Sequence, residues 1–366
     1  MTMVTKRIKG ISYYYFQDAV KRPNGQLKIV NTIVGRADLS EKELIKAQAV
    51  AFQKHLINML KFSAIIKKPR AHFENKPTSV SEDELEYIKW LYQNIRKNIS
   101  ESDREEYEKT FLIRYVYGTT AIEGVTLNEN ETAKVLIEGL TPNNKPLEDA
   151  IAVSNYKDVK EFLKGFSGDI TEHVIKHIHK LLMKGITGDD RKPIPIGEYR
   201  IRGALIRGFG YTPPPAETVP TRMRYLLDEY RRNIKKVHPV ETAALFHQKF
   251  EEIHPFQDGN GRTGREILNL MLEREGFPPI YITPTERSRY LDALEAGNAL
   301  NHVPLIDFII ERMNATVMYL FTKTSLYKLW ESEEVVVMAA QEEGIPELFN
   351  IIKRMMDVLH KSKELP

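Results

Sequence analysis

The sequence has no cysteine among its 366 residues. This absence excludes disulfide bonds, thiolate metal ligands, iron–sulfur clusters and a cysteine nucleophile. An excess of charge of one sign is also missing, because 53 Lys and Arg residues face 50 Asp and Glu residues and leave a net charge of +3. So small a surplus gives no bulk electrostatic reason to expect a nucleic-acid-binding protein.

Long apolar runs are missing as well. The most apolar stretch, residues 308–330, is interrupted by four charged side chains and is typical of an amphipathic helix rather than a membrane span. The first residues show no apolar segment followed by a cleavage site. We therefore expect a cytoplasmic protein without a membrane partner.

The beginning of the chain has a strand-like pattern. An aromatic run at residues 13–16 and an apolar run at 27–34 are separated by Pro23-Asn24-Gly25, whose residues favour a tight turn. This pattern predicts an N-terminal β-hairpin.

Helical periodicity follows and divides the chain into three regions. Residues 1–80 are predicted to be an accessory region of hairpin and helices, ending in a charged, proline-containing linker at 67–77. Residues 81–324 are predicted to be a helical domain, and residues 325–366 a further helical segment without recognisable chemistry.

One interruption lies inside the helical domain. Residues 194–215 place apolar and aromatic residues among four glycines and end in three prolines, which predicts a second small β-hairpin. The predicted fold class is therefore mainly α, a helical bundle with this hairpin and the N-terminal one.

The chemistry is concentrated in residues 253–265, which read I-H-P-F-Q-D-G-N-G-R-T-G-R between two apolar helices. Three glycines at the N-terminus of a helix allow a close backbone approach and form a site for an anion. Arg262 and Arg265 add two permanent cations suited to phosphate oxygens. Asp258 is a hard oxygen ligand suited to Mg²⁺, and His254 is a base of suitable pKa. The segment predicts phosphoryl chemistry.

Residues 253–265 also fit other motifs in part. The glycines match the dinucleotide fingerprint G-x-G-x-x-G, with Glu286 about twenty residues further on, but the preceding residues are helical where that fingerprint needs a strand. A kinase glycine loop fails for the same reason. A plain glycine turn and a metal hydrolase using His247, His254 and Asp258 stay open as alternatives.

The segment resembles the signature of the Fic (filamentation induced by cyclic AMP) family, H-x-F-x-[DE]-G-N-[GK]-R-x-x-R. Every defined position of the signature is filled, by His254, Phe256, Asp258, Gly259, Asn260, Gly261, Arg262 and Arg265. The resemblance covers residues 102–315 and implies a Fic-type bundle that transfers AMP from ATP to a Ser, Thr or Tyr hydroxyl of a target protein and of itself.

The resemblance also implies a role for each signature residue. His254 would take the hydroxyl proton, and Asp258 would hold Mg²⁺ on the phosphates of ATP. The backbone around Gly259, Asn260 and Gly261 would bind phosphate oxygens, Arg262 would contact the phosphates, and Arg265 would hold the γ-phosphate.

A second motif lies upstream in Thr119-Thr120-Ala121-Ile122-Glu123-Gly124, which resembles the family's inhibitory motif [ST]-x-x-x-E-[GN]. Thr119 and Glu123 are one helical turn apart, and Gly124 suits a helix C-terminus. The resemblance implies an inhibitory helix at about residues 102–124 whose Glu123 pairs with Arg265 and blocks the γ-phosphate position. Ser102 followed by Glu105 predicts the start of this helix.

Less specific positions complete the resemblance. The hairpin at 198–211 resembles the family's flap, which would dock the target segment through Leu205, Ile206 and Arg207. Three further residues fall where the family contacts ATP: Asn269, Tyr290 and Asn298.

Rival functions stay open at this point. On the same fold, the protein could transfer another phosphate-containing group, or remove AMP with Glu123 orienting water. In another class, it could be a non-catalytic ATP-sensing protein whose terminal regions interact with partners. Residues 1–80 could form an accessory layer or a homo-oligomer surface, and nucleic-acid binding is the weakest alternative.

Overall fold

The computed structural model describes residues 2–21, 27–40, 43–44, 47, 51, 71–80, 82–187, 195–204 and 211–322. The chain forms two compact units. The first comprises Met1–Arg70, Glu82–Arg104 and Val317–Pro366, and the second comprises Ala71–Ser81 and Glu105–Thr316.

The first unit contains a three-stranded antiparallel sheet in the order β1-β2-β3. The strands are β1 at Thr2–Ile8, β2 at Ile11–Lys21 and β3 at Leu27–Arg36. The predicted hairpin is confirmed in β2 and β3, while its turn at residues 22–26 lies outside the described residues. Strand β1 was not predicted, because it has few apolar residues and pairs through a turn at Lys9 and Gly10, both at positive φ.

Helices account for most of the remaining described residues. They are α1 at Glu82–Asn98, α2 at Glu101–Ile122, α3 at Glu129–Ala133 (continued by a π-helix at Lys134–Glu138), α4 at Leu147–Leu163, α5 at Glu172–Leu182, α6 at Val219–Asn233, α7 at Pro239–Ile253, α8 at Asn260–Arg274, α9 at Arg287–Asn298 and α10 at Val303–Thr322. The mainly α fold class is confirmed. Among the described residues, no helix combines the length and the apolar character that crossing a membrane requires.

The residue that caps the N-terminus of α2 is not the predicted one. The backbone N–H of Asp103 donates to Ser100 Oγ at 3.1 Å, so Ser100, rather than Ser102, caps the helix. Both residues are serines followed by acidic side chains, and the pattern alone did not distinguish them.

The second unit is centred on α7 and α8. Residues of α8 are buried on nearly all sides from Asn260 to Leu272, including two arginines and Glu266. A β-carbon on Gly264 would overlap the Glu251 carboxylate of α7, so glycine permits the close approach of the two helices. Buried polar groups need hydrogen-bond partners, and the residues that supply these partners to α8 form the candidate site.

Residues 71–80 cross the second unit as a strap and not as a free linker. Both carboxylate oxygens of Glu241, on α7, accept backbone N–H groups, from Glu74 and Asn75, at 2.8 Å each. Asp307, on α10, accepts from the backbone and hydroxyl groups of Thr78 and Ser79. Two buried or partly buried carboxylates therefore fix this segment to the helical bundle.

The second predicted hairpin is only partly described. Residues 195–204 and 211–215 form no strand, and Leu205, Ile206 and Arg207 lie outside the described residues. In the described part, the backbone N–H of Arg200 donates instead to Pro255 O, in the turn after α7, at 2.9 Å.

Candidate functional site

The turn between α7 and α8 begins at His254. This residue ends α7 in the left-handed region, with φ 49° and ψ 61°, which is uncommon for a residue other than glycine. The turn is closed by the Asn260 amide, whose Oδ1 accepts from the Phe256 N–H and whose Nδ2 donates to Phe256 O, each at 2.8 Å. Phe256 is fully buried. Asn260 therefore fixes the loop with its side chain, and its predicted contact to phosphate is left to its backbone.

The glycines of the loop are required by geometry. Gly259 is at φ 76°, and a β-carbon there would overlap the Met183 sulfur. A β-carbon on Gly261 would overlap the carboxylate of Glu123 and crowd the Arg265 guanidinium. The space above Gly261, at the first turn of α8, is therefore a small cradle lined by a cation and open to an anionic group.

The carboxylate of Glu123, the residue directly after α2, occupies this cradle. Arg265 Nη2 donates to Glu123 Oε1 at 2.5 Å. The same guanidinium donates through Nε to Thr119 Oγ1 at 2.7 Å and through Nη2 to Thr119 O at 2.9 Å. The structure thus brings Thr119 and Glu123 to Arg265, which lies more than 140 residues further along the chain.

Local packing sets the position of Glu123. A β-carbon on Gly118 would overlap the backbone oxygen of Ile282, so α2 approaches this segment at backbone contact distance. The helix ends at Ile122, and Gly124 turns the chain with φ 97°, as the sequence predicted. Arg287 Nε donates to Ile122 O at 3.1 Å and so satisfies a carbonyl at the helix end.

Charges in the site stabilise one another. Burial raises the pKa of Glu123, but the guanidiniums of Arg265 and Arg262 outweigh it and hold the pKa below its usual range. Burial disfavours the Arg265 cation, yet the Glu123 carboxylate outweighs this effect and raises the arginine pKa. Glu123 is therefore an anion and Arg265 a cation at neutral pH.

His254, unlike Glu123 and Arg265, is uncharged at neutral pH. Burial lowers its pKa to about 4, although the Glu123 carboxylate and the Glu251 carbonyl act in the other direction. The imidazole is therefore neutral at physiological pH and able to accept a proton.

Asp258 lies on the exposed side of the loop, next to the buried Arg262. The Asp258 side chain is 50% exposed, and its Oδ1 accepts from the Gly259 N–H at 2.5 Å and lies 3.5 Å from Arg262 Nη2. Its Oδ2 has no hydrogen bond among the described residues, and no group of three or more His, Asp or Glu side chains there forms a metal cage. A single open carboxylate fits Mg²⁺, which keeps most of its water and is bound by one or two carboxylates together with phosphates.

The three remaining predicted ATP contacts are engaged with protein groups. Asn269 is buried, and its amide donates to Ile280 O at 2.9 Å and accepts from Ile280 N at 2.8 Å. The Tyr290 hydroxyl bonds His247 Nε2 at 2.7 Å, and Asn298 Oδ1 accepts from Gln248 at 2.8 Å. A contact of Asn269 with ATP would compete with its two bonds to the main chain.

Sequence reasoning missed a layer of residues behind the loop. His179, on α5, stacks on Phe256 with ring centroids 3.7 Å apart, bonds Asp258 O through Nε2 at 2.9 Å and accepts from the Gly197 N–H through Nδ1 at 2.8 Å. These two bonds identify the tautomer with the proton on Nε2, and burial lowers the pKa of His179 to about 4. Its helical spacing among apolar residues resembled that of an ordinary core histidine.

A further pair on α7 consists of His247, which the sequence offered only as a metal ligand together with His254 and Asp258, and Glu251, which it did not mark. Burial lowers the pKa of His247 to about 3 and raises the pKa of Glu251 to about 8, so both side chains are uncharged at neutral pH. His247 Nδ1 and Glu251 Oε1 are 3.9 Å apart. Both residues lie among apolar neighbours along α7.

The comparisons with known proteins agree with this architecture. The Fic/DOC family model matches residues 169–272. The protein adenylyltransferase Fic of Aedes aegypti is 31% identical over 252 residues, covering 65% of this chain and 47% of that protein. The protein adenylyltransferase fic-1 of Caenorhabditis elegans is 30% identical over 206 residues, covering 56% of this chain and 40% of that protein. The chain thus spans about half the length, or less, of the curated relatives it matches.

Solved structures show the same fold. A Fic domain containing signaling protein from Bacteroides thetaiotaomicron matches with a TM-score of 0.59 and 24% identity, over 66% of this chain and 98% of that one. Fic-1 from C. elegans matches with a TM-score of 0.56 and 22% identity, over 77% and 82% of the two chains. Identities this low establish similarity of fold and leave the chemistry to the site.

Proposed function

Since the chain carries a Fic domain of the Fic/DOC family, we propose that it is an autoinhibited protein adenylyltransferase. It transfers AMP from ATP to a hydroxyl of a target protein and of itself. Glu123 restrains this transfer by occupying the place of the γ-phosphate.

The contact of Glu123 with Arg265 carries the proposal. The carboxylate is an anion held at 2.5 Å by a buried arginine, at the first turn of a helix and over a glycine. These are the groups that bind a phosphate at a helix N-terminus. A γ-phosphate at Arg265 would have to displace the carboxylate, because two anions in one cradle repel each other.

The proposed reaction uses the neutral imidazole of His254. The ring accepts the proton of the target hydroxyl while the hydroxyl oxygen forms a bond to the α-phosphorus of ATP. The bond from that phosphorus to the bridging oxygen breaks, and pyrophosphate leaves with the electron pair. Arg262 and the backbone N–H groups at the start of α8 bind phosphate oxygens, and this charge compensation lowers the barrier.

Asp258 is the proposed ligand of Mg²⁺. When bound, the ion would neutralise phosphate charge and favour departure of pyrophosphate. The protein supplies one open carboxylate oxygen for this purpose, fixed from the other side by the Gly259 N–H.

Removal of AMP is the second candidate. It is favoured by one observation. The Glu123 carboxylate lies near enough to His254 to offset part of the lowering of the ring's pKa by burial. A carboxylate beside the catalytic imidazole could orient water toward an AMP ester, whereas the restraint proposed above requires only its contact with Arg265.

Intact-mass spectrometry of the Glu123→Gly variant with ATP and Mg²⁺ tests the proposal. We expect the mass of AMP to be added to the protein, and we expect the addition to be abolished in Glu123→Gly/His254→Ala, which still binds ATP. Glu105→Gln, on the exposed part of the same helix, is the matched control and should behave as wild type. Absence of an adduct in Glu123→Gly, an adduct of phosphate mass, or an adduct that survives loss of His254 would contradict the proposal.

A further inference from the structure

Arg200 is a buried cation that bonds to main-chain carbonyls. Its residue is 2% exposed. Nε donates to His254 O at 2.7 Å, and Nη2 donates to Ile253 O at 3.3 Å. Nη2 also donates to Pro214 O at 2.6 Å, while Nη1 donates to Arg202 O at 3.0 Å. One guanidinium therefore joins the turn after α7 to the backbone at Arg202 and at Pro214.

The residues before Arg200 are arranged to place it there. Gly197 turns the chain at φ 71°, and its N–H donates to His179 at 2.8 Å. Tyr199 packs against Phe256 with ring centroids 5.7 Å apart. The backbone N–H of Arg200 then donates to Pro255 O at 2.9 Å. Glu198 is paired with Lys176 of α5 at 3.4 Å, so each residue of this run is tied to the loop or to the helix behind it.

The position suits a permanent cation. The last carbonyls of α7 have no partner within their helix, and the negative end of the helix dipole lies at the same place. A planar guanidinium can bond several carbonyls at once, which an ammonium group cannot do in one plane. His254 is held in the left-handed region, a conformation that an L residue keeps only when its surroundings fix it.

We propose that Arg200 is a positioning residue that fixes the backbone of His254, and with it the imidazole, relative to Arg202 and Pro214. The inference rests on the proposed function, because it assigns Arg200 a part in the transfer of AMP. Arg200 makes no contact with Asp258, Arg262 or Arg265 among the described residues. Its loss should therefore reduce the rate of transfer and leave the binding of ATP almost unchanged.

The kinetic test uses the Glu123→Gly background. Arg200→Lys keeps a cation without the planar fork, and Arg200→Met keeps the length without charge. We expect kcat to fall by about ten- to a hundred-fold in Arg200→Met, to fall less in Arg200→Lys, and KM for ATP to stay within about two-fold. Arg231→Met, at an exposed arginine paired with Asp228 on α6, is the control and should keep the parental kcat.

A second measurement does not depend on activity. Hydrogen–deuterium exchange of a peptide covering residues 251–258 should be faster in Arg200→Met than in the parent, while a peptide within residues 303–316 should exchange alike in both. If Glu123→Gly itself transfers no AMP, the proposed function fails, and this exchange arm still tests the positioning of the turn.

Three results would overturn the inference. One is an unchanged kcat in both Arg200 variants. Another is a parallel loss of kcat and ATP affinity, which would indicate a general loss of structure. The third is an unchanged exchange rate at residues 251–258. If Arg200→Met does not fold, Arg200→Lys decides by the same criteria.

Discussion

At the scale of single residues, the site depends on a histidine that stays uncharged and a glutamate that stays charged. Burial lowers the pKa of His254 to about 4, and two arginines hold the pKa of Glu123 below its usual range. The first leaves a base free to accept a proton, and the second keeps an anion beside Arg265. Both effects come from burial and neighbouring charge, which the sequence motif alone does not quantify.

The titration of His254 can be followed directly by NMR of its imidazole in the full chain. Because the pKa is lowered, the ring is neutral above pH 5 and becomes charged only near pH 4. The proton acceptor is thus present across the physiological range, and acidification removes it only below that range. Comparison with His254→Ala assigns the signal, and a midpoint at or above the ordinary value of 6.5 would contradict this environment.

A substitution that removes the charge of Glu123 and keeps its shape isolates the effect of that charge on ATP binding. In Glu123→Gln, the amide no longer competes as an anion for Arg265, and the dissociation constant for ATP should fall by about ten-fold or more. Calorimetric titration of ATP into Glu123→Gln, Glu105→Gln and wild type measures this. Equal affinities in the three proteins would show that Glu123 does not exclude the nucleotide.

At the scale of elements, the proposed inhibitory role of helix α2 depends on where the helix ends and what it packs against. Gly118 meets the backbone of Ile282, and Arg287 bonds the carbonyl of Ile122. The segment at Ile282 is itself tied to α8 through the Asn269 amide at Ile280. Helices α2 and α8 thus both contact the segment at residues 280–282.

A methyl group at position 118 should separate α2 from this support. Gly118→Ala adds a β-carbon that overlaps the Ile282 oxygen, and overpacking of this kind costs about 1–3 kcal/mol. We expect a lower unfolding temperature together with more AMP transfer than wild type, as Glu123 moves away from Arg265. Gly203→Ala, where a β-carbon meets nothing within 4 Å, is the stability control. A variant as stable and as restrained as wild type would contradict the argument.

Elements with local signals could be predicted from the sequence, and those without them could not. The α7–turn–α8 unit has a complete motif, and the end of α2 has a glycine at positive φ, so both were placed within a few residues. Strand β1 has no apolar alternation and depends on pairing with β2. The described residues on either side of the predicted flap, 195–204 and 211–215, form no strand; the backbone N–H and the guanidinium of Arg200 bond instead to the turn after α7.

At the scale of the whole molecule, contacts between distant parts of the chain decide what belongs together. Residues 67–77 have the composition of a linker, yet Glu74 bonds Glu241 across 167 positions of sequence. No pattern within residues 71–80 indicates that two carboxylates elsewhere in the chain accept their N–H groups. The pairing of Glu123 with Arg265 is equally distant, and it could be predicted only because a family resemblance supplied it.

Because Glu241 holds the segment at residues 71–80, we expect Glu241→Gln to lower the free energy of unfolding. Glu241→Gln replaces one acceptor oxygen by an NH₂ group that faces N–H donors, and an unsatisfied buried polar group costs about 1–3 kcal/mol. Denaturant unfolding should show this loss, whereas Glu229→Gln, which removes a partly exposed pair with Lys249, should cost less than about 1 kcal/mol. Equal stabilities of the two variants would mean that the strap adds little to the fold.

We propose above that Glu123 restrains AMP transfer by occupying the place of the γ-phosphate at Arg265. The most direct measurement is transfer of label from ATP radiolabelled at the α-phosphate, compared between wild type, Glu123→Gly and Glu123→Gly/His254→Ala. We expect weak labelling of the wild type, strong labelling of Glu123→Gly and none of the double variant. Equal labelling of wild type and Glu123→Gly, with ATP bound equally by both, would contradict the proposal.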